Sequence, residues 1–182
     1  MSKALGVLTN QGLLEADAAR GRNSARRVAD FDRLLDAYAD YVAGRRSAIQ
    51  LQVGVVWRDP VADAARLGAV WTVAGTRWAA TSALAAAVFA PTQTQVSPLE
   101  IYVEARNAVE LAAVAAAVGL VPVPGGRLRL RPFPSAGTAA LSTPVDIALI
   151  CVPWPRAYAD LRIAGVRGED AAEHLREEMT RG

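Results

Sequence analysis

The chain has 182 residues, 20 of them basic and 18 acidic, for a formal charge of +2, and 52% of its residues are apolar. That length accommodates one large domain or two small ones, and the near-neutral total does not by itself imply nucleic acid as a partner, although charge can be local. One cysteine, Cys151, excludes an intramolecular disulfide and a cysteine zinc cluster.

The first thirty residues are locally basic. Between Ser2 and Ala29 stand Lys3, Arg20, Arg22, Arg26 and Arg27 against only Glu15 and Asp17. Ser2 to Gln11 reads as a short amphipathic helix with Leu5 and Leu8 on one side, and Gly12 suits its C-terminal cap. A strand over Leu13 to Ala16, a basic turn over Ala19 to Ser24 and a returning strand over Ala25 to Ala29 follow; Gly21 and Asn23 suit the reversal. Asp30 is a good N-cap for a helix carrying Phe31, Leu34, Leu35, Tyr38 and Val42 at helical spacing, closed by Gly44. A domain boundary is expected at Gly44 to Ser47, dividing the chain into 1–46 and 47–182.

Beyond it, Ile49 to Val55 alternates as a half-buried strand. Asp59-Pro60 opens a helix expected to end near Gly68, with a short apolar piece from Val70 to Ala74. Thr76 to Val88 reads as a small-residue helix stopped by Pro91. Leu99 to Glu104 alternates as a strand, and Asn107 with Glu110 resembles a capping box opening a helix that Gly119 closes. Arg127 to Arg131 alternates arginine with leucine as a strand, Pro132 to Ala140 reads as loop, and Val145 to Val152 as a central strand. Helices over Pro155 to Ala164 and Gly168 to about Thr180 finish the chain. The fold class is α/β or α+β, a partial winged helix-turn-helix followed by a mixed-sheet domain.

Helix, strand, basic loop and strand form the second half of a winged helix. A recognition helix needs polar side chains for base edges, and a wing needs cations for phosphates. The DNA-contacting candidates are therefore Ser2, Lys3 and Asn10 on the helix and Arg20, Arg22, Asn23, Arg26 and Arg27 on the wing. The bland alternative is an amphipathic helix beside a solvated basic hairpin. The Arg127, Arg129, Arg131 stripe reads as a solvated face balanced by acids such as Glu100 and Glu104, with contact to phosphates or an acidic partner the rarer case. His174 reads as a surface residue and Cys151 as a buried inert thiol. Asp146 and Asp160 are not paired by any spacing rule, and Ser135, Ser142 and Thr143 lie in no G-x-S-x-G. Neither a P-loop nor a dinucleotide fingerprint occurs. No enzyme, cofactor or metal is expected.

Two stretches together resemble the AbiEi-family antitoxins of type IV toxin–antitoxin systems. One runs from Ser2-Lys3-Ala4-Leu5 through Gly12-Leu13-Leu14-Glu15 and the arginine-rich wing to the Asp30–Tyr41 helix. The other is Tyr158-Ala159-Asp160-Leu161 with Gly165, Arg167-Gly168-Glu169, Ala171-Ala172 and Leu175. Trp71-Thr72-Val73-Ala74-Gly75 and the alanine-rich helix expected after it are similar to a third family region. The resemblance implies an operator-binding repressor of its own operon, with a C-terminal domain that counters a nucleotidyltransferase-type toxin. A homo-oligomer is compatible with it. It also implies a departure: the two helices that normally precede the recognition helix are missing. Either translation starts further upstream or the chain is a truncated relative, whose Leu5 and Leu8 need cover from the rest of the chain or from a second copy. With no signal peptide and no apolar run of bilayer length, the expected location is the cytoplasm, away from membranes.

Overall fold

The computed structural model describes residues 3–16, 25–91, 98–145 and 149–181. α1 (Lys3–Asn10) leads into β1 (Leu14–Ala16), which pairs antiparallel with β2 (Arg26–Val28), Leu14 opposite Val28 and Ala16 opposite Arg26. Gly12, at φ +69, makes the turn between helix and strand. There the Gly12 N–H donates to the Thr9 carbonyl and the Leu13 N–H to the Leu8 carbonyl, a Schellman closure that a side chain would strain. α2 (Phe31–Ala43) starts two residues after β2, its first turn capped by Asp30, which accepts from the Arg33 N–H at 3.0 Å.

The remaining elements are β3 (Leu51–Val53), α3 (Pro60–Val73), β4 (Trp78–Thr81), α4 (Ser82–Phe89), β5 (Leu99–Val103), α5 (Ala108–Ala116), β6 (Leu128–Pro132), α6 (Ala136–Leu141), β7 (Thr143–Pro144), β8 (Ile150–Cys151), α7 (Trp154–Arg162) and α8 (Val166–Thr180). Six strands form one sheet in the order β3-β6-β5-β4-β8-β7. It is mixed: β5 runs parallel to β6 and β4 to β8, while the β3–β6, β4–β5 and β7–β8 pairs are antiparallel. The fold is α+β, as expected. α7 is buried along most of its length and packs against α2, α4 and α8. The buried residues of α2, namely Leu35, Ala39 and Val42, belong to the same core as the sheet. No helix among the described residues is long and apolar enough to cross a membrane.

Several expected elements differ. The third helix does not stop at Gly68 but continues to Val73, and Gly75, at φ +73, ends it. Gly68 is a contact glycine: a Cβ there would lie 1.9 Å from Cζ2 of Trp78. The Thr76–Val88 stretch is not one helix. Its first part is β4, buried on both faces between β5 and β8, and only Ser82 onward is helical. Alanine's helix preference is worth tenths of a kcal/mol per residue, and two-sided pairing in a buried sheet overrides it. Pro132 belongs to β6, and the expected loop after it contains α6, capped by Ser135. The long strand expected over Val145 to Val152 is the two-residue β8, inside the sheet; residues 146–148 lie outside the described residues. β5 is buried on both faces, so its alternation of apolar and polar residues does not mark a solvent side.

Replacing Gly68 by Ala forces Trp78 from its place beside Trp71, where the rings sit 6.3 Å apart, and breaks the Trp78 indole N–H bond to Thr72 Oγ1 at 2.9 Å. The expected cost is about 1–3 kcal/mol, as for other overpacked sites. Urea unfolding reads it directly, and an unchanged midpoint would count against the seating of α3 on Trp78.

Candidate nucleic-acid interface

α1 has no buried residue. Lys3 and Asn10, both exposed, are seven positions apart, which places them about two turns apart on one face of the helix. Of the two described wing cations, Arg27 is exposed and Arg26 half-buried, on neighbouring positions of β2. Ser2, Arg20, Arg22 and Asn23 lie outside the described residues. Leu13 and Leu14 are buried at the base of the unit, whereas Leu5 is 37% exposed and Leu8 half-buried, so the apolar side of α1 is only partly covered.

The unit is tied to α2 by backbone geometry and one side chain. The Ala29 N–H donates to the Leu13 carbonyl at 3.1 Å, and Arg33 Nη2 donates to the Gln11 carbonyl at 3.2 Å. α2 in turn is fixed to the body. Tyr158 on α7 donates its hydroxyl to Asp36 at 2.7 Å, and Arg162 Nη1 reaches Asp36 and Glu173 at 3.4 Å each. Burial, and the proton given to Asp36, push the Tyr158 phenol up to about 12. Phe31 packs its ring 5.6 Å from that of Trp154.

Two buried polar knots hold the body. In the first, Asp160 on α7, fully buried, accepts from Thr81 Oγ1 at 2.6 Å, from the Tyr102 hydroxyl at 2.9 Å, and from Arg156 Nε and Nη2 at 3.0 and 2.8 Å. Burial and the adjacent Asp160 hold the Tyr102 phenol protonated, far above its ordinary range. Burial opposes the charge on Arg156, and Asp160 outweighs it and raises the guanidinium above its usual value. In the second knot, Glu100 meets Arg129 at 2.6 Å, Arg46 at 2.8 Å and Arg131 at 3.4 Å. The arginine stripe of β6 is thus not a solvated face. Glu100 sits opposite Arg129 in the parallel register and is itself buried, while only Arg127 of the three is exposed. Glu104, the other acid expected to balance the stripe, pairs with Arg77 instead.

The sequence reading missed Arg46, Tyr102 and Arg156 as members of these knots. The four-residue spacing of Arg156 and Asp160 was a legible signal, since it sets the two on one helix face. Thr81 and Tyr102 come from distant strands and left none.

Among the described residues, the side chains suited to covalent chemistry are either buried or engaged in local hydrogen bonds, or stand alone on a helix. Cys151 is buried, and burial pushes its thiol up to about 12. Ser82 turns from β4 into α4 at φ 51, the strand-to-helix geometry of nucleophile elbows, but is fully buried. Ser135 spends its hydroxyl on the Thr138 N–H at 3.0 Å, and His174 lies half-buried on α8. No group of three histidine, cysteine or carboxylate side chains able to hold a metal occurs among the described residues. Comparison with protein-family models, curated proteins and solved structures finds no match for the chain.

Glu100→Gln leaves three guanidiniums sharing a neutral amide, and breaking a buried ion pair in this way costs about 3–5 kcal/mol. Thermal unfolding of the variant is expected to show a large fall in Tm; a Tm within a degree or two of the parent overturns the structural role assigned to Glu100. At pH 8 the Cys151 thiol is protonated because its titration lies far above that pH, so an aromatic disulfide reagent reacts only after denaturant is added. Prompt reaction of the native protein contradicts the burial.

Proposed function

We propose that the chain is a DNA-binding regulator of the antitoxin type, in which α1 and the β1–β2 ribbon meet operator DNA and the α+β body faces a nucleotidyltransferase-like toxin. The observation that carries the DNA part is an exposed short helix joined by a glycine turn to a two-stranded ribbon, with Lys3 and Asn10 on one helix face and Arg26 and Arg27 on the ribbon. Helix and ribbon are held to a rigid neighbour through Arg33 and Leu13. Lysine and arginine at such positions neutralise phosphates and release counterions, while the asparagine amide can pair with an adenine edge. The toxin-facing role rests on the resemblance between Tyr158 and Leu175. In that segment Tyr158, Leu161, Ala171, Ala172 and Leu175 are buried, so it supplies scaffold, and a partner would meet other faces of the body. The regulator acts as a binder, without turnover.

The alternative is a protein-interaction domain that binds a partner through its α+β body, with a vestigial wing and no DNA affinity, and exposed apolar side chains on the helix–ribbon unit favour it. Val7 is 54% and Val28 45% exposed, which is apolar surface of a kind that interfaces use.

The two separate in a titration. Duplex DNA from upstream of the gene is expected to bind in a fluorescence-anisotropy assay with a log–log salt slope that falls by about one for each phosphate contact removed in Arg26→Ala or Arg27→Ala. Binding that is absent at low salt sinks the DNA part. If co-expression then also leaves the toxin lethal and it is not captured, docking falls too.

A further inference from the structure

We infer that the body carries a binding site for a nucleoside monophosphate, distinct from the helix–ribbon unit and independent of the DNA proposal. A cavity of about 700 Å³ lies between the C-terminal end of α2, the ends of β5 and β6, the start of α6, and α7. That volume falls within the usual range of small-molecule sites, and β5 and β6 are parallel, so the cavity opens beyond the carboxyl ends of a parallel pair, where α/β sheets place their ligands.

Its lining is one-sided in charge. Arg45, Arg46, Arg106, Arg131 and Arg156 contribute to the wall and no carboxylate does. Arg156 is neutralised by Asp160, and Arg106 by Glu110 at 2.8 Å. Arg46 and Arg131 have no carboxylate to themselves. Glu100 is the single carboxylate shared by Arg46, Arg129 and Arg131, a cluster with two surplus positive charges of which Arg46 and Arg131 line the cavity. Arg131 holds the weakest share, at 3.4 Å, and its buried Nε has no hydrogen-bond partner. Buried donors in native proteins are nearly always satisfied, and an excess of guanidinium with unused donors is the chemistry that recognises a phosphate.

The wall also carries four aromatic rings, those of Tyr38, Tyr41, Tyr102 and Phe133, among aliphatic, proline and hydroxyl side chains. Tyr102 and Phe133 stack at 5.8 Å between ring centroids and 28° between planes. At the mouth, Tyr41 is 58% exposed and carries the Arg45 guanidinium 4.7 Å above its ring. A flat π-faced body joined to a dianionic phosphate matches both halves of this wall. Tyr102 and Arg131 are themselves buried, so the base stacks on Tyr41 or Phe133 and the phosphate meets Arg45 and Arg46, with the Arg131 charge behind them.

Isothermal titration of the full chain with AMP, GMP, CMP and UMP tests the site, with adenosine and inorganic phosphate as the half-ligands. At least one monophosphate is expected to bind in the micromolar range, and each half-ligand at least tenfold more weakly. Arg45→Glu and Tyr41→Ala change exposed side chains, so both proteins should melt as the parent does without ligand. Both are expected to lose at least tenfold in nucleotide affinity and to leave any DNA affinity unchanged. The Arg26→Ala, Arg27→Ala double variant is expected to bind nucleotide as the parent does. Binding of inorganic phosphate as tight as that of every monophosphate overturns the proposal. So does loss of nucleotide binding in the ribbon variant with retention in Arg45→Glu, and so does the absence of binding by all four.

Discussion

Asp160 is the point on which the body depends. It is fully buried, and four donor atoms from three side chains converge on it from β4, β5 and its own helix. A carboxylate moved out of water carries a penalty of several kcal/mol, and only near-complete hydrogen bonding with an opposite charge offsets it. That requirement has geometric consequences. β4 must end at Thr81 so that its hydroxyl reaches Asp160, which puts the strand-to-helix turn at Ser82 with its unfavourable φ. β5 must present Tyr102 on the α7 side. α7 must approach the ends of both strands closely enough for Arg156 and Asp160, one turn apart, to reach Thr81 and Tyr102. The knot fixes its position.

The Glu100 knot works differently. Asp160 is met by one guanidinium and two hydroxyls and ends near neutrality. Glu100 is met by three guanidiniums and leaves positive charge behind. A purely structural ion pair gains nothing from surplus like charge in a half-buried site, since the extra arginines repel each other and lose hydration. Part of that cost falls where the cluster faces the cavity and can be relieved by an anion. The two knots share Tyr102 as a neighbour: its ring lies 5.6 Å from the Arg131 guanidinium carbon and 5.3 Å from that of Arg156.

What the sequence made legible was local chemistry. Asp30, Asp59, Asn107 and Pro60 start helices where their side-chain physics says they should, and the Arg127–Arg131 alternation is a strand. What failed was long-range. Gly68 reads as a stop because nothing local shows Trp78 lying on it. Trp78-Ala79-Ala80-Thr81 reads as helix because its two sheet partners come from residues twenty and seventy positions further on. The β6 arginines read as solvated because charge normally is, and their burial depends on Glu100 across the sheet and Arg46 from the chain after α2. For the candidate interface, Lys3, Asn10, Arg26 and Arg27 were readable as types on an exposed helix and ribbon. The stretch expected as a basic turn lies outside the described residues.

α2 links the two proposed sites. Its N-terminal end follows directly from β2 and holds α1 through Arg33, and its C-terminal end supplies Tyr38, Tyr41 and Val42 to the cavity wall. Thirteen helical residues span about 20 Å, so the two sites are separate in space but share one rigid rod. A nucleotide could alter the stance of the ribbon only by moving that rod relative to α7, and the burial of Leu35, Ala39 and Val42 of α2 in the core, with the Tyr158–Asp36 bond, resists it. Coupling between sites is a difference in ligand affinity between two arrangements, and a well-packed helix interface shifts between discrete positions rather than deforming continuously. The contact to watch is therefore Tyr158 with Asp36. It lies between the sites, touches neither ligand, and any second position of α2 on α7 must break or remake it.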